Sequence, residues 1–159
     1  MGNLFRTYAP GAITVTNWAS YTPTLTHNSG GATNVTVTGR YRRVGDTLEA
    51  RVALSFTGTP ANFNGAFLSL PSVTIDTTKL SVTSANQTLG TALIYNADVT
   101  QQNVAIVMYS STSTVELRWL MSQGTNSPSI YNTVAQDSPI VVAVNDIMTG
   151  TFSVPISGW

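Results

Sequence analysis

The groups able to run acid–base or nucleophilic chemistry are few in this chain: seven carboxylates, one histidine and no cysteine. The carboxylates are Asp46, Glu49, Asp76, Asp98, Glu116, Asp137 and Asp146. Glycoside hydrolysis would need two of them facing one sugar ring. The five aspartates stand in turn-like surroundings, where the side chain caps local backbone. The two glutamates fall on strand-like stretches beside arginines, and nothing in their spacing pairs them. The histidine, His27, lies in Thr-His-Asn-Ser-Gly-Gly and reads as a solvated turn residue. A hydrolytic triad needs a base beside its nucleophile, and there is no Gly-x-Ser-x-Gly elbow to present a serine. Gly30-Gly31 is an isolated pair, not a phosphate-cradling loop. No Asp-x-Asp spacing offers a calcium loop, and a thiolate metal site would need cysteine. The expectation is a protein that is not an enzyme and holds no cofactor and no metal.

The aromatic residues are the next candidates. Trp119 falls in the apolar phase of its strand, which points to core or interface. Phe63 and Tyr131 lie in loop-like stretches and are the candidates for exposed contact with a ligand or partner. Near the N-terminus, Leu4, Phe5, Tyr8 and Ile13 are too broken up by Pro and Gly to bury one another. Apolar groups of that kind pack on something else, and contacts to neighbouring subunits are expected there.

Composition narrows the function classes. The chain has 159 residues, enough for one domain that buries roughly two thirds of its unfolded surface. Charged residues make up 9%, against roughly 25% in typical soluble domains. A surface so poor in charge resists association weakly and suits a protein covered by others in an assembly. Seven basic and seven acidic residues give zero net charge, which argues against a nucleic-acid partner. The absence of cysteine fits a reducing cytosol. The first fifteen residues lack the apolar run of a signal peptide. Arg6 stands where a myristoylation motif wants Ser or Thr. No stretch nears the ~18 apolar residues of a membrane span, so no membrane partner is expected. Sequons at Asn34 and Asn86 matter only in a secretory pathway, and nothing else points to one.

The elements that must position these residues repeat with period two. In residues 47–57, Leu48, Ala50, Val52, Leu54 and Phe56 share one face, with Glu49, Arg51 and Ser55 on the other. Residues 35–44 form a second strand, and Gly45-Asp46 joins the two as a type II′ hairpin. That register sets Arg42 opposite Glu49 and Arg40 opposite Arg51. Hairpin pairing therefore explains Arg-Tyr-Arg-Arg, with a basic ligand patch as the alternative. Further strands are expected over 66–70, 89–97, 103–109, 114–121, 139–144 and 148–156, with 103–109 apolar on both faces. The nearest thing to a helix is one turn at 76–80. The expectation is an all-β chain: an extended N-terminal arm over 1–19, then an antiparallel two-sheet jelly-roll sandwich of about eight strands over 20–159.

Several segments carry a resemblance. Trp18 precedes Tyr21-Thr22-Pro23-Thr24; then come residues 39–49, Gly-Arg-Tyr-Arg-Arg-Val-Gly-Asp-Thr-Leu-Glu. Leu68-Ser69-Leu70-Pro71-Ser72, Ile75-Asp76 and Asn145-Asp146 follow, and the chain ends Pro155-Ile156-Ser157-Gly158-Trp159. This order resembles a bacteriophage virion surface domain found in head decoration or cement proteins and tail-fibre tips. The resemblance implies a trimeric jelly roll similar to tumour-necrosis-factor/C1q-like proteins, located on the virion after assembly in the host cytoplasm. It carries over no catalytic residue.

Two functions follow as expectations. One is a homotrimeric capsid decoration protein, whose partners are itself and a major capsid or other virion protein. An arm plus one domain, with no long shaft, favours it. The other is a receptor-binding tip or head fibre that recognises host-surface glycan through loop aromatics.

Overall fold

The computed structural model describes residues 13–26, 33–60, 63, 65–82, 87–121, 130–133 and 141–159, with only the backbone course given for 120–121 and 130–133. The strands, in chain order, are β1 (Ala19–Tyr21), β2 (Leu25–Thr26), β3 (Val35–Val44), β4 (Thr47–Phe56), β5 (Ala66–Ser69), β6 (Thr88–Asn96), β7 (Gln101–Ser111), β8 (Thr114–Met121), β9 (Ile130–Thr133) and β10 (Ile147–Pro155). One 3₁₀ turn, Thr77–Lys79, is capped by the Asp76 carboxylate, which accepts from the Thr78 amide.

All pairings are antiparallel, in the order β1-β3-β4-β10-β6-β7-β8-β5-β2, with β9 beside β5 on the outer edge of β8. The sheet curls into a half-barrel. Its pairings run unbroken, so no gap in them marks a division into two sheets. Its terminal strands, β1 and β2, are joined by Thr22-Pro23-Thr24, which can span at most roughly 14 Å. The two ends of the curl are thus tied by the chain itself. Ser69 carries the β2–β5 pairing one residue into this connection: its hydroxyl accepts from the Thr24 amide, and its amide donates to the Thr24 carbonyl.

The alternation read from the sequence decides which side faces in. Leu48, Ala50, Val52, Leu54 and Phe56 of β4 and Met148, Phe152 and Val154 of β10 are buried. They face a core completed by Ile94, Val107, Val115, Leu117, Leu68 and Phe63. Each such side chain contributes about 1.5–3 kcal/mol by leaving water. One row across the inner face is small: Gly39, Val52, Gly150, Ala92 and Ala105 pair successively across β3, β4, β10, β6 and β7. The opposite wall fills that row, since a Cβ on Gly150 would meet Val107 and Leu117.

The β3–β4 hairpin matches its expected register, including Arg42 opposite Glu49 and Arg40 opposite Arg51. Gly45 supplies the left-handed φ of +63° and Asp46 has none, as a type II′ turn requires. Three expectations need correction. Residues 141–144 run as loop and turn, not strand, because Asn145 at φ +69° and the Asp146 carboxylate turn the chain there; 139–140 lie outside the described residues. The stretch 103–109 is not buried on both faces, for Val104 points outward and is 65% exposed. Tyr131 sits on β9 and not in a loop. β1, β2 and β9 are too short to show a period.

Candidate interaction surface

Two regions of the outer face bear on function. The first is built around β6 and β7. Leu93 and Val104 are direct cross-strand partners there, and both side chains are exposed. Ile147, at the start of β10, pairs with Tyr95, the next outward position on β6, and is exposed as well. Val99, Val141 and Val144 are exposed on the adjoining loops. Those loops are held together by Asp146, which has no exposed surface. Its carboxylate accepts from the Ala97 amide and the Ala143 amide, both at 2.8 Å. A buried charge tolerates this position because each oxygen is satisfied by a backbone donor. The outward residues of β10, β6 and β7 include no charged side chain. The result is an apolar patch on a pinned scaffold.

The second region is the hairpin. Trp18 lies over β3 and β4, with the Arg51 guanidinium 4.7 Å and the Arg42 guanidinium 5.0 Å from its ring centre. Arg42 also donates Nε and Nη2 to Glu49 Oε2, both at 2.6 Å. Arg43 donates to the Gly45 carbonyl and covers the Trp159 ring at 5.2 Å. Glu49 is therefore committed to Arg42, and no ion pair joins it to Arg40 or Arg51.

Three of the segments that carried the sequence resemblance, around Asp46, Ile75-Asp76 and Pro155-Ile156, meet at this end, whereas Asn145-Asp146 lies at the other end of β10. Ile75 bridges to Ile156, the Asp76 amide donates to the Pro155 carbonyl, and the Ile156 amide donates to the Asp46 carbonyl. Lys79 joins Asp46 at 2.5 Å and Asp76 at 3.5 Å. The fold thus brings two aspartates together that the spacing did not. They form an ion-pair clasp: the bond to Lys79 holds the Asp46 carboxyl below its usual range, and the bond to Thr78, with Lys79 adding, does so for Asp76. The same contacts raise the Lys79 ammonium. A dyad sharing a proton would instead have one carboxyl raised.

The sequence-derived candidates scatter. Phe63 is only 2% exposed and packs edge-to-face on Phe56 at 5.5 Å, so it belongs to the core and is no exposed contact. It does lie in a loop, but the expected exposure fails, because a single apolar residue between breakers has no period to show which way it faces. Ile13 is 71% exposed. Residues 13–18 run along the body's own β3: the Gly45 amide donates to the Thr14 carbonyl, Val15 bridges to Val44, and the Thr16 amide donates to the Arg43 carbonyl. Leu4, Phe5, Tyr8, His27 and the Tyr131 side chain lie outside the described residues. The Val99, Val141, Val144 and Ile147 patch was missed. The loop valines have no period, and only burial distinguishes them from core valines. Among the described residues, no helix is long and apolar enough to cross a membrane.

Compared with protein-family models, curated proteins and solved structures, the chain matches none.

Proposed function

We propose that the protein is a structural protein of a bacteriophage virion surface, a homotrimer that decorates and stabilises the head shell. The observation that carries this reading is the patch formed by Leu93, Val104, Ile147, Val99, Val141 and Val144. Soluble monomers seldom leave large apolar areas uncovered, and Leu93 and Val104, cross-strand partners, are both exposed here. Interface centres are depleted in charge in the same way. The particle and the capsid-protein neighbour come from the sequence resemblance. A two-sheet jelly roll belongs to the same reading, with the facing walls of the half-barrel as its sheets. The glycan-binding tip loses support, because Phe63 is in the core.

Mass photometry and sedimentation at micromolar concentration test the reading. A trimer is expected for the natural chain, and a folded monomer for Leu93→Glu combined with Val104→Lys. A stable monomer of the natural chain would overturn it. Labelled protein in intact particles should cover the shell in many copies; a few copies at the tail alone would sink the decoration role.

A further inference from the structure

We propose that the groove between Arg40 and Arg51 binds an acidic saccharide, a sugar bearing a carboxylate or sulfate group. The groove encloses about 680 Å³ between β1, β3, β4 and β10. Arg40 and Arg51 stand directly opposite each other on its outer side. Like charges so placed repel unless something neutralises them. The described carboxylates are committed elsewhere: Glu49 to Arg42, Asp46 and Asp76 to Lys79, Glu116 to Arg118, and Asp146 to backbone amides. Asp98 lies on the turn between β6 and β7, and Asp137 is outside the described residues. Among the described residues, no ion pair reaches Arg40 or Arg51. Both side chains are exposed, and Trp18 already holds the Arg51 guanidinium in place, which lowers the entropy lost on binding.

Paired guanidiniums recognise planar or tetrahedral oxyanions through parallel N–H donors. Ser20, Thr22, Thr38, Thr149 and Thr151 add hydroxyls to the lining, beside apolar surface from residues such as Val52 and Ala53. Hydroxyls both donate and accept, as the ring hydroxyls of a sugar require. Among the described residues, Arg40, Arg43 and Arg51 lack a carboxylate partner, and so few cations on a chain of zero net charge do not suit a nucleic-acid backbone, whose affinity grows with each phosphate neutralised. The groove and the apolar patch meet on β10, where Thr149 lines the groove and pairs with Leu93, while the charged residues of the groove, Arg40 and Arg51, stand on β3 and β4.

Calorimetric titration of the full chain with a sulfated disaccharide and a uronic-acid disaccharide tests the proposal. The neutral parent sugar, inorganic sulfate and a single-stranded oligonucleotide run alongside. At least one acidic sugar should bind, weaken as salt is raised, and lose roughly tenfold in affinity in Arg40→Gln. Lys79→Gln, which removes a positive charge elsewhere, should bind like the natural chain. Thermal melts of both variants establish that they are folded. Four results would each overturn the proposal: no binding of either acidic sugar, equal binding of the neutral parent, equal binding in folded Arg40→Gln, or sulfate or oligonucleotide binding as tightly as the sugars.

Discussion

Asp146 carries a charge with no exposed surface, so its two amide partners are what make it tolerable. Replacing it with Ala leaves the Ala97 and Ala143 amides without their acceptor. Hydrogen bonds to a charged group are worth about 1.5–3 kcal/mol each. Asp146→Ala is expected to lower the melting temperature by roughly 6–24 °C, read by calorimetry. A change within ~2 °C would show that the loops are held by other means. Tyr21 makes a different argument. Its ring lies over Gly39 and meets Tyr41 edge-on at 5.6 Å. Its hydroxyl is buried with no partner among the described residues, and burial pushes its pKa up to about 12. The unfolded chain ionises this phenol near its ordinary value of 10.0, while the folded chain keeps it protonated. Stability is therefore unaffected below pH 10 and falls as pH rises from 10 to about 12. Tyr21→Phe should flatten that fall in denaturant titrations, and an unchanged slope would refute the assignment.

At the scale of elements, β6 and β10 approach too closely for any side chain at Gly90. A Cβ there would run into the Thr151 carbonyl oxygen and the Phe152 Cα. The β6–β7 register shifts between Thr88 and Gly90, so the strand bulges where it must lie flat against β10. Gly90→Ala is expected to cost about 3 kcal/mol, measured by urea unfolding. A loss under ~0.5 kcal/mol would mean that the bulge absorbs the methyl group. Gly45 serves the β3–β4 hairpin differently, through its left-handed φ. That hairpin places Arg40 against Arg51, so the proposed anion groove depends on a two-residue turn.

At the scale of the molecule, the outer face divides its labour. The β3–β4 side concentrates charge around Trp18, and strands β6, β7 and β10 carry none. The Leu93→Glu, Val104→Lys variant changes only exposed positions. It should therefore dissociate the assembly while keeping the cooperative melt that Asp146→Ala weakens. This contrast separates a contact between copies from a contribution to the fold of one copy.

The period-two runs by themselves determined the all-β class, the inner face of β4 and the hairpin register. Alternation and a glycine-first turn act between residues near in sequence, so they are legible without a fold. The one-turn helix at Asp76 was readable for the same reason. The sequence also held the scarcity of charge. Tertiary structure alone decided the rest. It put Phe63 inside and Val104 outside, since an apolar residue is core or surface only by what covers it. It turned the β-branched run at 141–144 into a loop, where Asp146 finds amides from two segments. It closed the curl through Thr22-Pro23-Thr24, committed Glu49 to Arg42, and so left Arg40 and Arg51 facing one groove. Such pairings depend on strands distant in sequence, and no local pattern encodes which strand lies beside which.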